Sequence, residues 1–251
     1  MTHAAQSWVT QDIAEDYDTW DDGACWLLGY PFVPGELGLR DGDRLLDLGC
    51  GPGAVTRWFA DRHDISVVAT DFSAAMLEIA GRRPHPGIDY QLSVSDLLPF
   101  LADDSVDLAM SCFMFICVPE LDRLQRMVAE VSRVLRPGGR FTVLGPNPAQ
   151  ANGEFSGFRR GVRGHNYLVG EPLPVQVRRT DGSWVGTVDV HWPVSTYEDL
   201  LTGAGFRVVS RITPLWADAA GVAEPGLVGS RSWAAERDRA PFLLITGELP
   251  G

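Results

Sequence analysis

The chain is short of cysteine, of basic residues and of long apolar runs, and each shortage closes off a class of function. Its 4 cysteines, Cys25, Cys50, Cys112 and Cys117, show no C-x-x-C spacing, and no nearby histidine run completes a tetrahedral zinc set. Reduced thiols in a cytoplasmic chain are the expectation. Lysine and arginine together number 21 against 33 acidic residues, a formal net charge of −12. Long-range attraction to phosphate backbones or anionic lipid is therefore unfavourable, so neither a nucleic-acid nor a membrane partner is expected. No stretch approaches the ~18 uninterrupted apolar residues of a membrane span, and the N-terminal stretch has no basic region followed by an apolar run. Internal repeats, coiled-coil heptads and low-complexity tracts are also missing.

What is present suffices for a full core. A chain of 251 residues with 45% hydrophobic content can form a single domain, or one domain with a lid. Through the first 150 residues apolar runs alternate with amphipathic ones, the pattern of strand and helix units around a mostly parallel sheet. Strands are expected at 44–50, 65–71, 88–96 and 105–113, with helices at "AVTRWFADR" and 73–83. "PELDRLQRMVAEVSRVL" repeats apolar residues at Leu121, Leu124, Met127, Val128, Val131 and Leu135, so one face should pack on the sheet before "RPGG" stops it and "RFTVLGPN" forms strand five. Beyond Asn147 the texture turns to Gly, Asn, Arg and aromatic residues as far as about Pro193, which reads as a cap insertion over 148–194. Within it Asp181-Gly182 separates two alternating stretches, a hairpin signal whose first strand leans on Val175 and Val177. Ser195 and Glu198 fit a capping box for one more helix, residues 217–230 read as a mobile surface loop, and "FRVVSRI" and "PFLLITGEL" supply two last strands. Residues 1–40, rich in aromatics, read as an N-terminal helical lid.

"LLDLGCGPGAVTRW" (45–58) begins as a buried strand, breaks at Gly49, Gly51 and Gly53, and resumes as a helix. Glycines let the backbone turn sharply and approach a ligand, while free N–H groups at the helix start face it. The spacing satisfies G-x-G-x-x-G/A, so a dinucleotide stays open. Asp47, however, puts a carboxylate beside the loop, which disfavours a pyrophosphate and favours a ligand whose reactive end is cationic. S-adenosyl-L-methionine, with its sulfonium and ammonium, has that character.

The stretch "LLDLGCGPG" resembles the glycine motif of the class I S-adenosylmethionine-dependent methyltransferases of small-molecule type, and the later blocks fall in that family's order. The resemblance spans about residues 44–147, and the family's closing helix and strands match 195–249. It implies an α/β fold: a Rossmann-like, seven-stranded, mostly parallel sheet with helices on both faces. It also implies that Asp71, in "VVATDFS", takes the ribose hydroxyls, about 20 residues after the loop. Phe72 would flank adenine. In "SVSDLLPF", Asp96 would accept from the adenine amino group and Leu97 would donate through its backbone, so that adenine lies between Phe72 and Leu97. Ser95, Met76, Ser111 and Phe113 complete the expected cofactor neighbours with Asp47, Gly49, Gly51 and Gly53, and Tyr17 is the expected contact from the lid.

Methyl transfer from a sulfonium is an in-line displacement that needs no protonation of the leaving thioether, so the protein mainly aligns the acceptor and excludes water. An amine or phenol acceptor must still lose a proton. Many similar enzymes carry a histidine just past strand four, where this chain has Ile116. The candidate bases that remain are His191 and His165 in the cap, with Tyr167 beside them. "SCFMF" offers no carboxylate for a metal at that turn, so a metal-independent transfer to an O, N or C nucleophile of a small metabolite is expected. Two alternatives share the cofactor: a lyase or cyclase acting on its aminocarboxypropyl arm, and a protein that binds it without catalysis.

Overall fold

The computed structural model describes residues 11–17 and 19–251; the first ten residues of the expected lid, and Asp18, lie outside the described residues. Strands β1 (Arg44–Leu48), β2 (Ser66–Asp71), β3 (Ile88–Leu92), β4 (Val106–Cys112) and β5 (Leu135–Pro146) pair in parallel. A separate antiparallel sheet holds β6 (Phe158–Arg160), β7 (Pro172–Arg178) and β8 (Trp184–Val190). Finally β9 (Arg207–Ile212) and β10 (Phe242–Glu248) join the main sheet antiparallel, giving the order β3-β2-β1-β4-β5-β10-β9. This is the expected seven-stranded, mostly parallel α/β sheet. The order runs outward from β1 one way and from β4 the other, so the winding reverses between them, and a crevice opens at their carboxyl ends.

Strand alternation sorts the core into two layers. Leu46, Leu48, Val68, Ala109, Phe141, Val143 and Ile245 face one side, where they meet α6 (Leu121–Val134) and α7 (Val194–Gly203). Leu45, Val67, Ala69, Leu108, Met110 and Leu144 face the other, where Leu27 and Leu28 of α2 (Gly23–Leu28), Leu37 of α3 (Val33–Leu37) and Phe59 of α4 (Ala54–Arg62) cover them. Helix α6 buries Leu124, Met127, Val128, Val131 and Val134 as its period requires, while Leu121 at its first turn is exposed. Helix α5 (Ala74–Gly81) starts at Ser73, whose hydroxyl accepts the Met76 amide.

Three expectations change. Helix α7 begins at Val194 after a Pro193 N-cap without a side-chain cap, and Glu198 pairs instead with Arg211, so the Ser195–Glu198 capping box does not form. Residues 217–230 are not one open loop: they carry a short 3-10 turn and the helix α8 (Pro225–Val228), and they bury Ala219 and Ala223 against the core. "RPGG" lies within β5 rather than before it, because Leu135 already pairs with Val106.

The two segments expected to serve as lid and cap, and labelled so below, are stitched to each other. Trp20 bridges Arg179, Asp21 N donates to Arg178 O, and Asp16, at the end of α1 (Gln11–Tyr17), takes the Arg179 guanidinium at 2.8 Å. The cap hairpin turns at Asp181-Gly182, where Asp181 accepts the Ser183 amide and Gly182 has φ +87°. A second anchor ties the cap to the body. Glu236, fully buried in α9 (Ala234–Asp238), accepts both the Ser156 amide at 2.7 Å and the Ser156 hydroxyl at 3.0 Å. Every one of the 21 basic residues is an arginine, and several act as forks: Arg133 alone holds Glu130, Asp103 and the carbonyls of Leu98 and Leu101. Replacing Glu236 by alanine strands the Ser156 donors, and a loss of about 3 kcal/mol in the urea unfolding free energy is expected.

Candidate active site

At the end of β1 the chain breaks as the glycine spacing requires. The amides of Gly49 and Cys50 both donate to Thr70 O, at 2.8 and 3.0 Å, which folds the loop across the end of β2. Gly49 has φ +82°, and a Cβ there would stand 2.6 Å from Met114, so glycine is demanded both by conformation and by packing. Gly51 has nothing within 4 Å of the position a Cβ would take, so its backbone is open to a ligand. Its amide donates to Asp71 Oδ2 at 2.8 Å, and Asp71 Oδ1 accepts the Ser73 amide at 2.8 Å. Burial pushes the Asp71 carboxyl above its ordinary range, and its backbone donors pull it back. Each oxygen keeps lone pairs for a further donor.

This loop forms one wall of a cavity of about 400 Å³. Gly49, Gly51, Asp71 and Phe72 come from the carboxyl ends of β1 and β2, Met76 comes from α5, and Phe113, Met114 and Ile116 follow β4. Tyr17, Trp20, Cys25 and Tyr30 come from the lid, while Phe158, Val175, Val177, Thr187 and Asp189 come from the cap sheet. Phe113 takes the left-handed φ of 60°, rare for a residue of its size, and its ring is wedged edge-on between Tyr30 at 5.8 Å and Phe242 at 5.3 Å. Cys25, Cys112 and Cys117 also reach the wall, and burial pushes all three thiols up, so they present neutral surface.

Of the expected cofactor residues, Tyr17, Gly49, Gly51, Asp71, Phe72, Met76 and Phe113 stand on this wall. Asp47, Gly53, Ser95, Asp96, Leu97 and Ser111 do not. Asp47 shares the strand phase of Leu45, so its side chain lies under α4, where Thr56 Oγ1 donates to it at 2.6 Å. Burial pushes its carboxyl up to about 7, with the Thr56 bond opposing and Asp71 adding. Gly53 is the N-cap of α4, and Ser111 is buried, donating to Leu48 O. Asp96 is held by Arg123 at 2.6 Å and Arg126 at 2.9 Å, and the Arg123 guanidinium lies 4.3 Å over the Phe72 ring. The Leu97 amide donates to Ser95 Oγ, and the Leu97 side chain is exposed.

The three candidate bases fall elsewhere. His165, Tyr167 and His191 line a second cavity, of about 330 Å³, whose walls all come from residues 148–191. His191 follows the last residue of β8, and its backbone is tied to Gly170 and Glu171, which sets its ring near Tyr167 at 5.9 Å. Burial, with the charge of Arg160, pulls its pKa down. His165 Nε2 lies 2.6 Å from Glu171 Oε1, and the Tyr167 hydroxyl accepts the Val162 amide. None of the three lines the cavity that holds the glycine loop.

A search among characterised proteins finds an N-demethylindolmycin N-methyltransferase of Streptomyces griseus that is 32% identical over 210 residues, covering 81% of this chain and 88% of that protein. The chain belongs to the class I S-adenosylmethionine-dependent methyltransferases. Residues 45–139 match the family model described as a methyltransferase domain. A 27-O-demethylrifamycin SV methyltransferase of Amycolatopsis mediterranei is 35% identical over 127 residues, with 47% of this chain and 45% of that one covered. Among solved structures, an S-adenosylmethionine-dependent methyltransferase from Mesorhizobium loti aligns with a TM-score of 0.61 at 27% identity, over 90% of this chain and 97% of that chain. The CcbJ methyltransferase of Streptomyces caelestis shares the fold, with a TM-score of 0.64 at 19% identity over 98% and 100% of the two chains.

The cofactor of this methyltransferase, S-adenosylmethionine, fits the residues present. Gly51 leaves room for close approach, Asp71 offers a carboxylate at the loop, and the wall carries Asp21, Asp22, Asp71 and Asp189 against Arg123, which favours a net cation. Among the described residues no group of three or more His, Cys, Asp and Glu side chains is placed to hold a metal ion.

Asp189 and Thr187 were not singled out by sequence reading. The signal was available: both share the alternation phase that puts Val175, the cross-strand partner of Thr187, on the inner face of the hairpin.

The raised Asp47 carboxyl has a measurable sign. Below the ordinary carboxylate range the folded and unfolded chains both carry the proton. As pH rises toward 7 the unfolded chain sheds it first, so stability falls across that window and levels above it. Asp47→Asn removes this loss, and urea unfolding across pH is expected to show the variant gaining on the order of 3 kcal/mol over wild type from about pH 4 to about pH 8. A difference independent of pH would refute the assignment.

Proposed function

We propose that this methyltransferase transfers a methyl group to a nitrogen nucleophile of a small, partly apolar metabolite held between the glycine loop and the cap sheet. One observation carries the reading: Gly51 and Asp71 share a single cavity with Val175, Val177 and Asp189, so cofactor and acceptor walls face each other across one space. The wall between them is mainly aromatic, aliphatic or thiol, which excludes water from a displacement that water would compete for. When bound, S-adenosylmethionine supplies an electrophilic methyl on a sulfonium. Asp71 takes the ribose hydroxyls, Gly49 and Gly51 admit the ligand to the backbone, and Phe72 and Met76 flank the base. Asp96 supports the adenine end through Arg123 rather than from the wall. Tyr17 closes the site from the lid. Nitrogen as the acceptor atom is favoured by the Streptomyces griseus relative, whose name specifies N-methylation and whose match extends over 81% of this chain, cap included.

The same reading places the protein in the cytoplasm, free of nucleic acid. All 4 cysteines are unpaired, which suits a reducing compartment, and the net charge of −12 repels phosphate backbones. Among the described residues no helix is long and apolar enough to cross a membrane.

Incubation with methyl-labelled S-adenosylmethionine and a panel of small amines tests the reaction. The expected result is S-adenosylhomocysteine formed in step with a labelled methylamine product. Release of methylthioadenosine without any acceptor would overturn it in favour of chemistry on the aminocarboxypropyl arm. Asp71→Ala is expected to weaken S-adenosylhomocysteine by about 2 kcal/mol, roughly 30-fold in Kd by calorimetry. His165→Ala and His191→Ala are expected to retain turnover, since neither side chain lines the reaction cavity.

A further inference from the structure

The cap sheet shows the cavity one polar spot on an otherwise apolar face. Val175 and Val177 of β7 stand beside Thr187 and Asp189 of β8, and Val175 is paired with Thr187 on one side and Arg160 of β6 on the other. Asp189 is only 6% exposed. Its Oδ2 accepts from Arg160 Nη2 at 3.1 Å, and Arg160 is the hydrogen-bond partner found for it among the described residues. Thr187 Oγ1 is buried with no partner, and so are Arg160 Nε and Nη1. A buried carboxylate with one such bond is an incomplete network, and incomplete buried networks are costly unless a ligand completes them.

The sign of that ligand follows from what faces it. Arg160 does not line the cavity, and its guanidinium is bonded to Asp189. The charged groups on the wall are Asp21, Asp22, Asp71 and Asp189 against Arg123, and Arg123 is itself committed to Asp96. A cationic head fits this pole, and the aromatic rings of Tyr30, Phe113, Phe158 and Phe242 fit an apolar body behind it.

We propose that Asp189 is the acceptor-binding residue: it receives the ammonium form of a small arylalkyl amine, with Thr187 Oγ1 accepting a second N–H, and takes the proton that must leave before nitrogen is methylated. The assignment rests on the methyl-transfer reading above. The N–H proton passes to an Asp189 carboxylate oxygen, leaving a free amine and a carboxylic acid. The nitrogen lone pair then forms the N–CH3 bond as the C–S bond breaks with its electron pair going to sulfur. An N-methylammonium and a neutral thioether result, and Asp189 later returns its proton to water. Burial raises the Asp189 carboxyl while Arg160 opposes the rise, so it is a stronger base than an exposed aspartate.

The test uses the full chain loaded with S-adenosylhomocysteine and titrated with benzylamine, phenethylamine, 3-phenylpropylamine and tryptamine, each against the corresponding alcohol. For the best-fitting member, wild type is expected to bind the amine at least about tenfold more tightly than the alcohol. Asp189→Asn is expected to abolish that preference while keeping its S-adenosylhomocysteine Kd within about twofold, and Thr187→Val to weaken amine binding about threefold. Absence of amine preference across the panel in loaded wild type overturns the proposal without needing any variant, as does its survival in Asp189→Asn. Failure of wild type to bind S-adenosylhomocysteine is a different result: it removes the methyl-transfer reading, and this proposal with it.

Discussion

The Asp71 carboxylate is the junction on which the site is assembled. One oxygen accepts the Gly51 amide from the loop after β1, the other accepts the Ser73 amide at the start of α5, and Thr70 next to it receives the amides of Gly49 and Cys50. The glycine loop is therefore held against the end of β2 by one carboxylate bond and two carbonyl bonds, and the second carboxylate bond fixes the start of α5. A carboxylate taken even partly out of water is costly without donors. One of the backbone amides that satisfy it, that of Gly51, belongs to the ligand-facing loop, so the charge that holds the loop is the charge offered to the cavity.

Selection of a cationic ligand follows from this arrangement rather than from Asp47. Asp47 is close to the loop in sequence, but strand alternation sends it beneath α4, where Thr56 and burial leave it poised between charged and neutral. The field in the cavity comes from carboxylates on its wall, two from the lid, one from β2 and one from the cap. This sequence has no lysine, and the arginines nearest the site are each tied to an acid: Arg123 to Asp96, Arg160 to Asp189, Arg231 to Asp21. Their positive charge is spent on positioning carboxylates, and the space between remains acidic.

Lid and cap form one roof. The bridge between Trp20 and Arg179 and the pair between Asp16 and Arg179 join segments about 160 positions apart, and Glu236 fastens the cap to the body through Ser156. Tyr17 and Trp20 of the N-terminal segment thereby share one cavity wall with Thr187 and Asp189 of the antiparallel sheet.

Much of this was legible in the chain itself. Runs such as "RLLDL" and "VDLAMSC" have the apolar density of strands buried on both faces, the period of α6 marks its inner side, and Gly49 and Gly51 announce a turn that only glycine can make. These are local properties, dictated by backbone sterics and by the burial of neighbouring side chains, so sequence alone determined the sheet, the loop and the place of Asp71. The acceptor side was a different matter. His165 and His191 have the right chemistry but face a separate space, while Asp189 reaches the cavity because a hairpin register, a pairing with Arg160 and the docking of the cap on the lid bring it there. Those contacts join positions far apart in the chain, and which face of a cap strand meets the cofactor is decided by how two separate sheets pack, which no local pattern encodes.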